Sequence, residues 1–443
     1  MYLHGTSKIN AQGHLEIGGV DATDLKEQFG TPLYVVDEQL VRERCREYME
    51  AFRASGLGFQ VAYASKAFCV MAMCALAAEE GLSLDVVSDG ELFTALQAGF
   101  PAERIHFHGN NKTLEEIEMA LDAEIGCFVV DNFNELHLLQ AVAADKNRKV
   151  NILLRVTPGV EAHTHEYIST GQTDSKFGFD IGNGTAFEAI ELASKQSNLV
   201  LLGVHSHIGS QIFEVEGFQM AVQRVAEFAA DVYERLNVAF KVVNLGGGFG
   251  IRYIDGDTPL EVSQYVKAIT DAVKNHFAQI GYAVPEIWVE PGRSIVGEAG
   301  TTLYTVGTSK DIPGVRKYVA VDGGMTDNPR PALYESKYEA VLANRAHEAA
   351  QETVSVAGKC CESGDMLIWD LDLPKVQSGD LLAVACTGAY NYSMASNYNR
   401  IRRPAVVFVK DGQGDVVVRR ETYQDIIQND LVPERIAKQP VIR

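Results

Sequence analysis

Eight short apolar runs alternate with segments of helical spacing over the first two thirds of this 443-residue chain. Each run ends at a polar residue or at glycine, and the segments between the runs are rich in helix-forming residues, as in residues 91–99. Strands that alternate with helices in this way predict an α/β fold with a parallel sheet, and eight of them predict a closed (β/α)8 TIM barrel. The runs cover residues 59–64, 82–87, 104–107, 127–130, 150–156, 199–204, 241–245 and 286–289.

The last third of the chain has a different pattern, with β-rich runs and few helical segments between them. These runs cover residues 302–306, 318–321, 353–356, 381–385, 405–409 and 416–418. They predict a second, all-β domain that resembles a sandwich or an open barrel. Because residues 33–36 also form a short β-like run, we assign the N-terminal segment to the same domain. The expected division is therefore a barrel over residues 37–290 and a β domain over residues 1–36 and 291–443.

Charge, hydropathy and cysteine content exclude several classes of protein. The formal net charge of −20 argues against nucleic acid or an anionic membrane as partner. No stretch approaches the roughly 20 apolar residues of a membrane span, and the N-terminus shows no signal-peptide pattern. The seven cysteines are odd in number and include no Cys-x-x-Cys pair, so we expect reduced thiols, a cytoplasmic protein and no metal site.

The ends of the predicted strands carry an unusual concentration of reactive side chains. In a (β/α)8 barrel the active site is built at the C-terminal ends of the strands. The residues at or near those ends are Lys66, Asp85, His108, Asp131, Arg155, His205, His207, the glycines at 246–248, and Glu290. We therefore expect an active site at this end of the barrel.

Lys66 and the two histidines each allow two interpretations. A partly desolvated lysine at a strand end can form a Schiff base with a carbonyl group, but a lysine can also extend from a strand end to water. Alternation places His205 and His207 on one face of the sixth strand, where they could bind a metal. Since no third ligand is obvious nearby, stacking on a flat ring or catalytic work suits at least one of them better.

The seventh and eighth strands end in two motifs that are also open to two interpretations. The glycines at 246–248 can cradle a phosphate with their backbone N–H groups, or can simply form a tight turn. Barrels often bind phosphate after the seventh strand, which favours the first interpretation. Glu290 could keep a pyridine nitrogen protonated, or could form an ion pair with Arg293 at a turn.

The β half contributes three further candidates. Arg330 has the forked geometry that suits a substrate carboxylate. Cys361 beside Glu362 is either an acid–base pair or a buried thiol next to a surface carboxylate. Tyr390 offers a phenol with an equally open role.

Taken together, these segments resemble the diaminopimelate decarboxylases, which are pyridoxal-phosphate enzymes with an alanine-racemase-like barrel and a β domain. The resemblance runs in family order from about residue 33 to residue 400, and the run Cys361-Glu362-Ser363-Gly364-Asp365 is its most specific part. The other matching motifs are Tyr63-Ala64-Ser65-Lys66-Ala67, His163-Thr164-His165, Ser175-Lys176-Phe177-Gly178-Phe179, His205-Ser206-His207-Ile208-Gly209-Ser210-Gln211, Gly246-Gly247-Gly248, Glu290-Pro291-Gly292-Arg293, Asn328-Pro329-Arg330-Pro331 and Gly388-Ala389-Tyr390.

The resemblance implies a pyridoxal 5′-phosphate site. Lys66 would hold the cofactor as a Schiff base, His207 would stack on its ring, and Glu290 would pair with its ring nitrogen. The remaining residues assigned to this site are Asp85, Ser210, Gly247, Gly248 and Tyr390.

The resemblance also implies a substrate and a homodimer with shared active sites. The substrate would be meso-2,6-diaminopimelate, decarboxylated to L-lysine in the last step of lysine biosynthesis. Arg293, Arg330 and Tyr334 would bind its distal carboxylate, and Glu362 would bind its distal ammonium group. Tyr390 would also contact the substrate, and Cys361 would donate the proton to the product carbon. Cys361 and Glu362 would come from the neighbouring subunit. Three alternative functions stay open for a chain of this kind: a decarboxylase for another diamine-related amino acid, such as ornithine or carboxynorspermidine, an amino-acid racemase, and a cofactor-binding regulator that has lost catalysis.

Overall fold

The computed structural model describes residues 1–160 and 175–436. Its N-terminal segment forms a small antiparallel sheet, followed by a helix and a strand that belongs to the β domain. These elements are β1 (Lys8–Ile9), β2 (Leu15–Ile17), β3 (Val20–Asp21), α1 (Ala22–Phe29) and β4 (Leu33–Asp37). Helix α2 (Glu38–Ser55) then enters the barrel, and it begins where the Asp37 side chain accepts a hydrogen bond from the N–H of Leu40.

Eight parallel strands form the barrel, as the alternating apolar runs predict. They are β5 (Phe59–Ala64), β6 (Ser83–Val86), β7 (Ile105–Phe107), β8 (Cys127–Val130), β9 (Val150–Thr157), β11 (Leu199–His205), β12 (Val242–Asn244) and β13 (Glu286–Val289), and the short β10 (Phe179–Asp180) lies beside β9. Strand β13 pairs with β5, and β8 pairs with β9, so the ring of hydrogen bonds is closed. The predicted barrel is therefore confirmed.

Helices follow the strands around the outside of the barrel. They are α3 (Met71–Glu79), α4 (Asp89–Gln97), α5 (Leu114–Asp122), α6 (Phe133–Asp145), α7 (Thr185–Ser194), α8 (Glu216–Leu236), α9 (Val262–Gln279) and the short α10 (Arg293–Val296). Three of them, α4, α5 and α6, begin where the side chains of Ser88, Thr113 and Asn132 accept a hydrogen bond from a backbone N–H in the first turn. Helix α4 ends at Gln97. Gly99 lies two residues further on, and its φ of 75° is the left-handed conformation that often follows the end of a helix.

The β domain contains a second, largely antiparallel sheet that includes β4. Its elements are β14 (Gly300–Ile312), β15 (Arg316–Val321), α11 (Arg330–Tyr334), β16 (Ala340–Leu342), β17 (Glu352–Ala357), β18 (Met366–Leu373), β19 (Leu381–Ala385), β20 (Ala405–Lys410), β21 (Gln413–Val418) and α12 (Tyr423–Ile427). Strand β14 pairs with β4, β15 and β19, so it joins the N-terminal segment to the rest of the domain. The predicted all-β domain is confirmed, and the residue boundaries between the two domains stay a prediction.

Some predicted strand ends shift by one or two residues. The run 104–107 becomes a strand only at Ile105, because Arg104 belongs to a one-turn helix, and the run 241–245 shortens to Val242–Asn244. Over residues 1–160 and 175–436, no helix combines the length and the apolar character that a membrane crossing needs.

Candidate active site

A cavity of about 1040 Å³ opens at the C-terminal ends of the barrel strands. The strand-end rule predicted nine of the barrel residues that line it. They are Lys66, Asp85, His108, Arg155, His205, His207, Gly247, Gly248 and Glu290. Asp131 is buried behind this wall, where its carboxylate lies 4.0 Å from the Arg155 guanidinium.

Lys66 sits on a one-turn helix, Ser65–Ala67, that follows β5 directly. Its side chain is exposed and lines the cavity, whereas the sequence interpretation expected a partly desolvated amine. The reason is that the lysine lies two residues beyond the strand, at the mouth of the barrel, where the cavity is open. An amine in this position is accessible to a carbonyl group that enters the cavity.

Glu290 is the centre of a buried polar cluster at the base of the cavity. Its Oε1 accepts a hydrogen bond of 2.6 Å from Asn244 Nδ2 and lies 3.0 Å from His108 Nε2. Its Oε2 accepts a 3.0 Å hydrogen bond from His205 Nε2. The alternative interpretation of an ion pair with Arg293 is wrong, because the Arg293 guanidinium donates elsewhere.

The electrostatics of this cluster keep the carboxylate ionised. Burial opposes the charge of Glu290 most strongly, yet His108 and His205 together outweigh burial and hold the pKa of Glu290 well below its usual range. Burial also acts against the charge of His108, but the carboxylates of Asp85 and Glu290 raise the pKa of His108 above its usual value. Burial lowers the pKa of His205 to about 4 despite Glu290. At neutral pH a negative Glu290 thus faces a neutral His205, and it favours the protonated form of His108.

His108, His205 and Glu290 also place one possible ligand atom each within 4.8 Å of one another, as a metal site would require. The same three residues are also joined by hydrogen-bonding contacts of 3.0 Å, from His205 Nε2 to Glu290 Oε2 and between His108 Nε2 and Glu290 Oε1.

The glycine loop after β12 lines the cavity and packs too closely against neighbouring backbone to carry a side chain. A Cβ atom on Gly247 would lie 2.2 Å from the carbonyl oxygen of Glu290, and one on Gly248, whose φ is 107°, would lie 2.4 Å from the carbonyl oxygen of Gly209. Only glycine fits at either position, so the backbone itself forms the wall. The Gly247 N–H donates a 3.2 Å hydrogen bond to His207 Nδ1, which ties the loop to the predicted stacking histidine.

His207 is held in its neutral form. Burial lowers its pKa most, and the positive charge of Lys66 lowers the pKa further, to well below the usual value. An unprotonated Nδ1 is also what the hydrogen bond from Gly247 requires. A neutral imidazole that lines the cavity suits contact with a flat aromatic ring.

Pyridoxal phosphate is compatible with these residues. The cavity contains an accessible amine, an ionised buried carboxylate, a neutral imidazole and a glycine wall formed by backbone alone. In addition, the buried Asp85 Oδ1 has no hydrogen-bond partner within the described residues. The donor set therefore matches a flat, anionic ligand that carries a ring nitrogen and a carbonyl group.

The opposite side of the cavity is positively charged. Arg293 and Arg330 are both buried, with 8% and 7% of their surface exposed. Arg293 donates hydrogen bonds to Tyr253 OH (2.6 Å) and Ser210 Oγ (2.9 Å), and Arg330 donates one to Tyr338 OH (2.6 Å). Within residues 1–160 and 175–436, neither guanidinium forms an ion pair with a carboxylate, so this side of the cavity can accept an anion.

Residues 38–297 match the family model described as "Pyridoxal-dependent decarboxylase, pyridoxal binding domain". The chain is 62% identical over 431 residues to diaminopimelate decarboxylase of Bacillus subtilis (strain 168), which covers 97% of this chain and 98% of that protein. The chain belongs to the diaminopimelate decarboxylase family. Crystal structures of diaminopimelate decarboxylase in complex with L-lysine are similar as well. The one from M. jannaschii has a TM-score of 0.91 at 38% identity and covers 98% of this chain and 99% of that chain. The one from Helicobacter pylori has a TM-score of 0.84 at 32% identity and covers 92% and 98%.

Cys361 and Glu362, two residues of the family's most specific motif, do not line the cavity of their own chain. Both are exposed on a loop of the β domain, so the interpretation of Cys361 as a buried thiol is wrong. Buried Asp365 holds this loop, because its carboxylate accepts hydrogen bonds from the N–H groups of Met325 (2.6 Å) and Cys360 (2.8 Å). The loop is therefore ordered and faces outward.

Other predicted residues of the family do reach the cavity. Tyr334 and Tyr390 line it, and the Tyr390 ring centroid lies 4.9 Å from the Arg293 guanidinium carbon. The Tyr390 N–H donates a 2.8 Å hydrogen bond to the carbonyl of Ala67, which connects the β domain to the loop that carries Lys66. The motif His163-Thr164-His165 lies outside the described residues.

Sequence reasoning missed several residues of the site. Asn244 is the last residue of β12 and binds Glu290, so a strand-end search that began one residue earlier would have found it. Lys176 and Phe177 belong to a motif that the sequence analysis named without giving it a role; both line the cavity, and the Phe177 ring centroid lies 4.2 Å from the Arg155 guanidinium carbon. Tyr253 lies in a loop beyond the glycine run, and no pattern in the sequence distinguishes it.

Proposed function

We propose that this chain decarboxylates meso-2,6-diaminopimelate to L-lysine and CO2 with pyridoxal phosphate as cofactor, in the last step of lysine biosynthesis. The observation that carries the proposal is the position of Arg293 and Arg330, two buried cations without a carboxylate partner in the described chain, in the same cavity as Lys66. A substrate with a second carboxylate fits such a site, whereas ornithine has no group that needs it. The names of the similar proteins support the same substrate.

In this proposal Lys66 holds the cofactor covalently, Glu290 faces its ring nitrogen, and His207 contacts its ring. The loop of Gly247 and Gly248 approaches the phosphate with its backbone. When bound, pyridoxal phosphate supplies a protonated aromatic ring that accepts the electron pair left when CO2 departs. The ionised state of Glu290 favours that protonated ring because a carboxylate stabilises a proton on a facing nitrogen.

The remaining residues of the chain bind and orient the substrate. Arg293 and Arg330 take the distal carboxylate, with Tyr334 and Tyr390 beside them on the cavity wall. Holding the distal end fixes the direction in which the reacting carboxylate points, and a fixed orientation lowers the entropic part of the barrier. The guanidinium groups are buried, so their attraction for an anion is weakly screened by water.

We further propose that the active unit is a homodimer in the cytoplasm, with Cys361 and Glu362 supplied to each cavity by the neighbouring subunit. Their exposure on an ordered loop away from their own chain's cavity supports this arrangement. In the complete site Glu362 meets the distal ammonium group, and the Cys361 thiol donates the proton that replaces CO2 on the product carbon.

A CO2-release assay across candidate substrates tests the proposed reaction. Purified protein with added pyridoxal phosphate is incubated separately with meso-2,6-diaminopimelate, L-ornithine and L-lysine. We expect CO2 only from the first, since only that compound keeps a carboxylate for Arg293 and Arg330 after losing one. Release from ornithine without release from diaminopimelate would contradict the proposal. The matched Arg330→Lys variant should retain the charge but lose most activity, because lysine lacks the bidentate fork.

A further inference from the structure

Tyr253 lies between the two arginines of the cavity. Its hydroxyl oxygen accepts a 2.6 Å hydrogen bond from Arg293 Nη1, and its ring centroid lies 5.7 Å from the Arg293 guanidinium carbon. The guanidinium carbon of Arg330 is 4.9 Å from the same centroid. A single phenol therefore contacts both cations, with only 8% of its surface exposed.

Tyr338 completes the arrangement on the side of Arg330. Its hydroxyl oxygen accepts a 2.6 Å hydrogen bond from Arg330 Nη1, and the residue is 4% exposed. The rings of Tyr253 and Tyr338 pack edge to face, with centroids 5.6 Å apart and an interplanar angle of 88°. We call Tyr253 and Tyr338 the tyrosine pair.

The tyrosine pair addresses a specific electrostatic difficulty. Two guanidinium groups that are mostly out of water repel each other, and neither has a carboxylate partner in the described chain. Phenol oxygens that accept charge-assisted hydrogen bonds, together with ring faces near the cations, reduce that cost without neutralising the charge. A carboxylate in place of either tyrosine would stabilise the arginines more strongly but would compete with an anionic ligand.

The pair also fixes which N–H groups remain available to a ligand. Arg293 uses Nη1 for Tyr253 and Nη2 for Ser210, while its buried Nε has no partner within the described residues. The backbone of Tyr253 is itself anchored, since its N–H donates a 2.9 Å hydrogen bond to Asp257 Oδ2. The phenol is thus a rigid support for a long and otherwise flexible side chain.

We propose that Tyr253 and Tyr338 are positioning residues that set the spacing and orientation of Arg293 and Arg330, and thereby make the cavity select ligands with a carboxylate at the end distant from Lys66. The identity of the substrate in this inference rests on the proposed function. The role of the pair does not, because it concerns the preference for a carboxylate and can be measured by binding alone.

Two ligands that differ only in that carboxylate provide the test. L-lysine carries it, and 1,5-diaminopentane is the same chain without it. The Kd of each is measured by titration calorimetry on the holoenzyme, for the wild type and for Tyr253→Phe and Tyr338→Phe, which keep the rings but remove the hydroxyl groups. We expect each variant to bind L-lysine about tenfold more weakly, as for loss of one hydrogen bond to a charged group, and to bind the diamine within about twofold of wild type.

Steady-state kinetics give a second readout that a purely structural role would not produce. For meso-2,6-diaminopimelate, KM should rise about tenfold in each variant while kcat changes less than about threefold, because the lost interaction is made equally before and during reaction. The control is Tyr282→Phe, which removes the hydroxyl oxygen that accepts a hydrogen bond from the backbone N–H of Phe240, outside the residues that line the cavity. That variant should leave both Kd values unchanged.

The inference is wrong if both variants of the tyrosine pair bind L-lysine as tightly as wild type. It is also wrong if their affinities for L-lysine and for the diamine fall by the same factor. If Tyr253→Phe does not fold, Tyr338→Phe decides by the same criteria. The two proposals can fail separately. If the variants show the expected loss of affinity for L-lysine but the wild type releases no CO2 from diaminopimelate, the proposed function is refuted and this inference still holds.

Discussion

Replacing Gly247 by alanine should disable the phosphate side of the cofactor site. The new Cβ would lie 2.2 Å from the carbonyl oxygen of Glu290, whereas ordinary contacts begin at 3.4 Å. The atom in the way belongs to the backbone, so it cannot rotate aside, and the glycine loop has to move by about 1 Å. A shift of that size takes a backbone N–H out of hydrogen-bonding geometry with a phosphate oxygen.

The expected effects have definite magnitudes. Overpacking of this kind costs about 1–3 kcal/mol in the free energy of unfolding, measured by urea denaturation. Loss of one charge-assisted hydrogen bond costs about 1.5–3 kcal/mol, which weakens the Kd for pyridoxal phosphate roughly 10- to 150-fold. That Kd is measured by titrating the apoenzyme and following the cofactor's absorbance. Pyridoxal, which lacks the phosphate, should bind Gly247→Ala and wild type with similar affinity.

Gly90→Ala is the matched control, because its Cβ would meet only Ser88 Oγ at 3.8 Å near the start of α4. It should leave both cofactor affinities unchanged and stabilise the fold by up to about 1 kcal/mol. If Gly247→Ala binds pyridoxal phosphate within about twofold of wild type, the steric reasoning is refuted. If the affinity of Gly247→Ala for pyridoxal falls as much as its affinity for pyridoxal phosphate, the loop affects binding of the ring, and its assignment to the phosphate is wrong.

Three further predictions concern the β domain and the subunit arrangement. Burial raises the pKa of Asp327 to about 7 from its ordinary value of 3.8. Between these two pH values the Asp327 carboxyl group is therefore protonated in the folded state and ionised in the unfolded state. Asp327 therefore destabilises the fold progressively as pH rises through that window, and Asp327→Asn should gain up to roughly 4 kcal/mol relative to wild type between pH 4 and pH 7 in urea denaturation. Asp365→Ala should lower the free energy of unfolding by about 1–3 kcal/mol and reduce kcat, because it removes the acceptor of the partly buried N–H groups of Met325 and Cys360 and so releases the loop of Cys361. Finally, inactive Lys66→Ala and Cys361→Ala chains, mixed by unfolding and refolding together, should recover about a quarter of wild-type CO2 release, since half of the dimers then contain one complete shared site.

Each of these predictions has a control and a contradicting result. Asp411→Asn, on an exposed turn, is the control measured in the same series, and a flat stability difference for Asp327→Asn between pH 4 and pH 7 would contradict the pKa assignment. Asp372→Ala, on the exposed side of β18, should leave kcat unchanged, so an equal loss there would mean that the Asp365 effect is not specific to the loop. No recovery of activity in the mixed chains, with dimers present by gel filtration, would place Cys361 in the cavity of its own subunit or outside the reaction.

The strand-end rule worked because it depends on local pattern and topology together. Apolar runs of fixed length fix where each strand stops, and a closed parallel barrel brings all these ends to one face. Lys66, His207 and Glu290 therefore meet at one cavity although long stretches of chain separate them. The same rule found His108 but not its role, because the sequence does not show which carboxylate a histidine will face.

The interpretations that failed were those that assigned partners from sequence proximity. Glu290 and Arg293 are three residues apart, yet each forms its contacts with distant residues instead. Lys66 lies next to a buried strand, yet its side chain is open to the cavity. Nearness along the chain predicts contacts within a helix face but not at the irregular turn where a barrel strand ends.

The sequence by itself determined the two-part architecture, the end of the barrel that carries the chemistry, and, through its resemblance to a family, the cofactor and substrate class. Only the tertiary structure decided which side chains act on one another. It surrounds Glu290 with Asn244 and two histidines, and it brings Arg293 and Arg330 into contact with the same phenol, Tyr253. Periodicity and strand ends are properties of local segments, whereas charge state and side-chain orientation depend on burial and on neighbours that only the closed barrel and the adjoining β domain bring together.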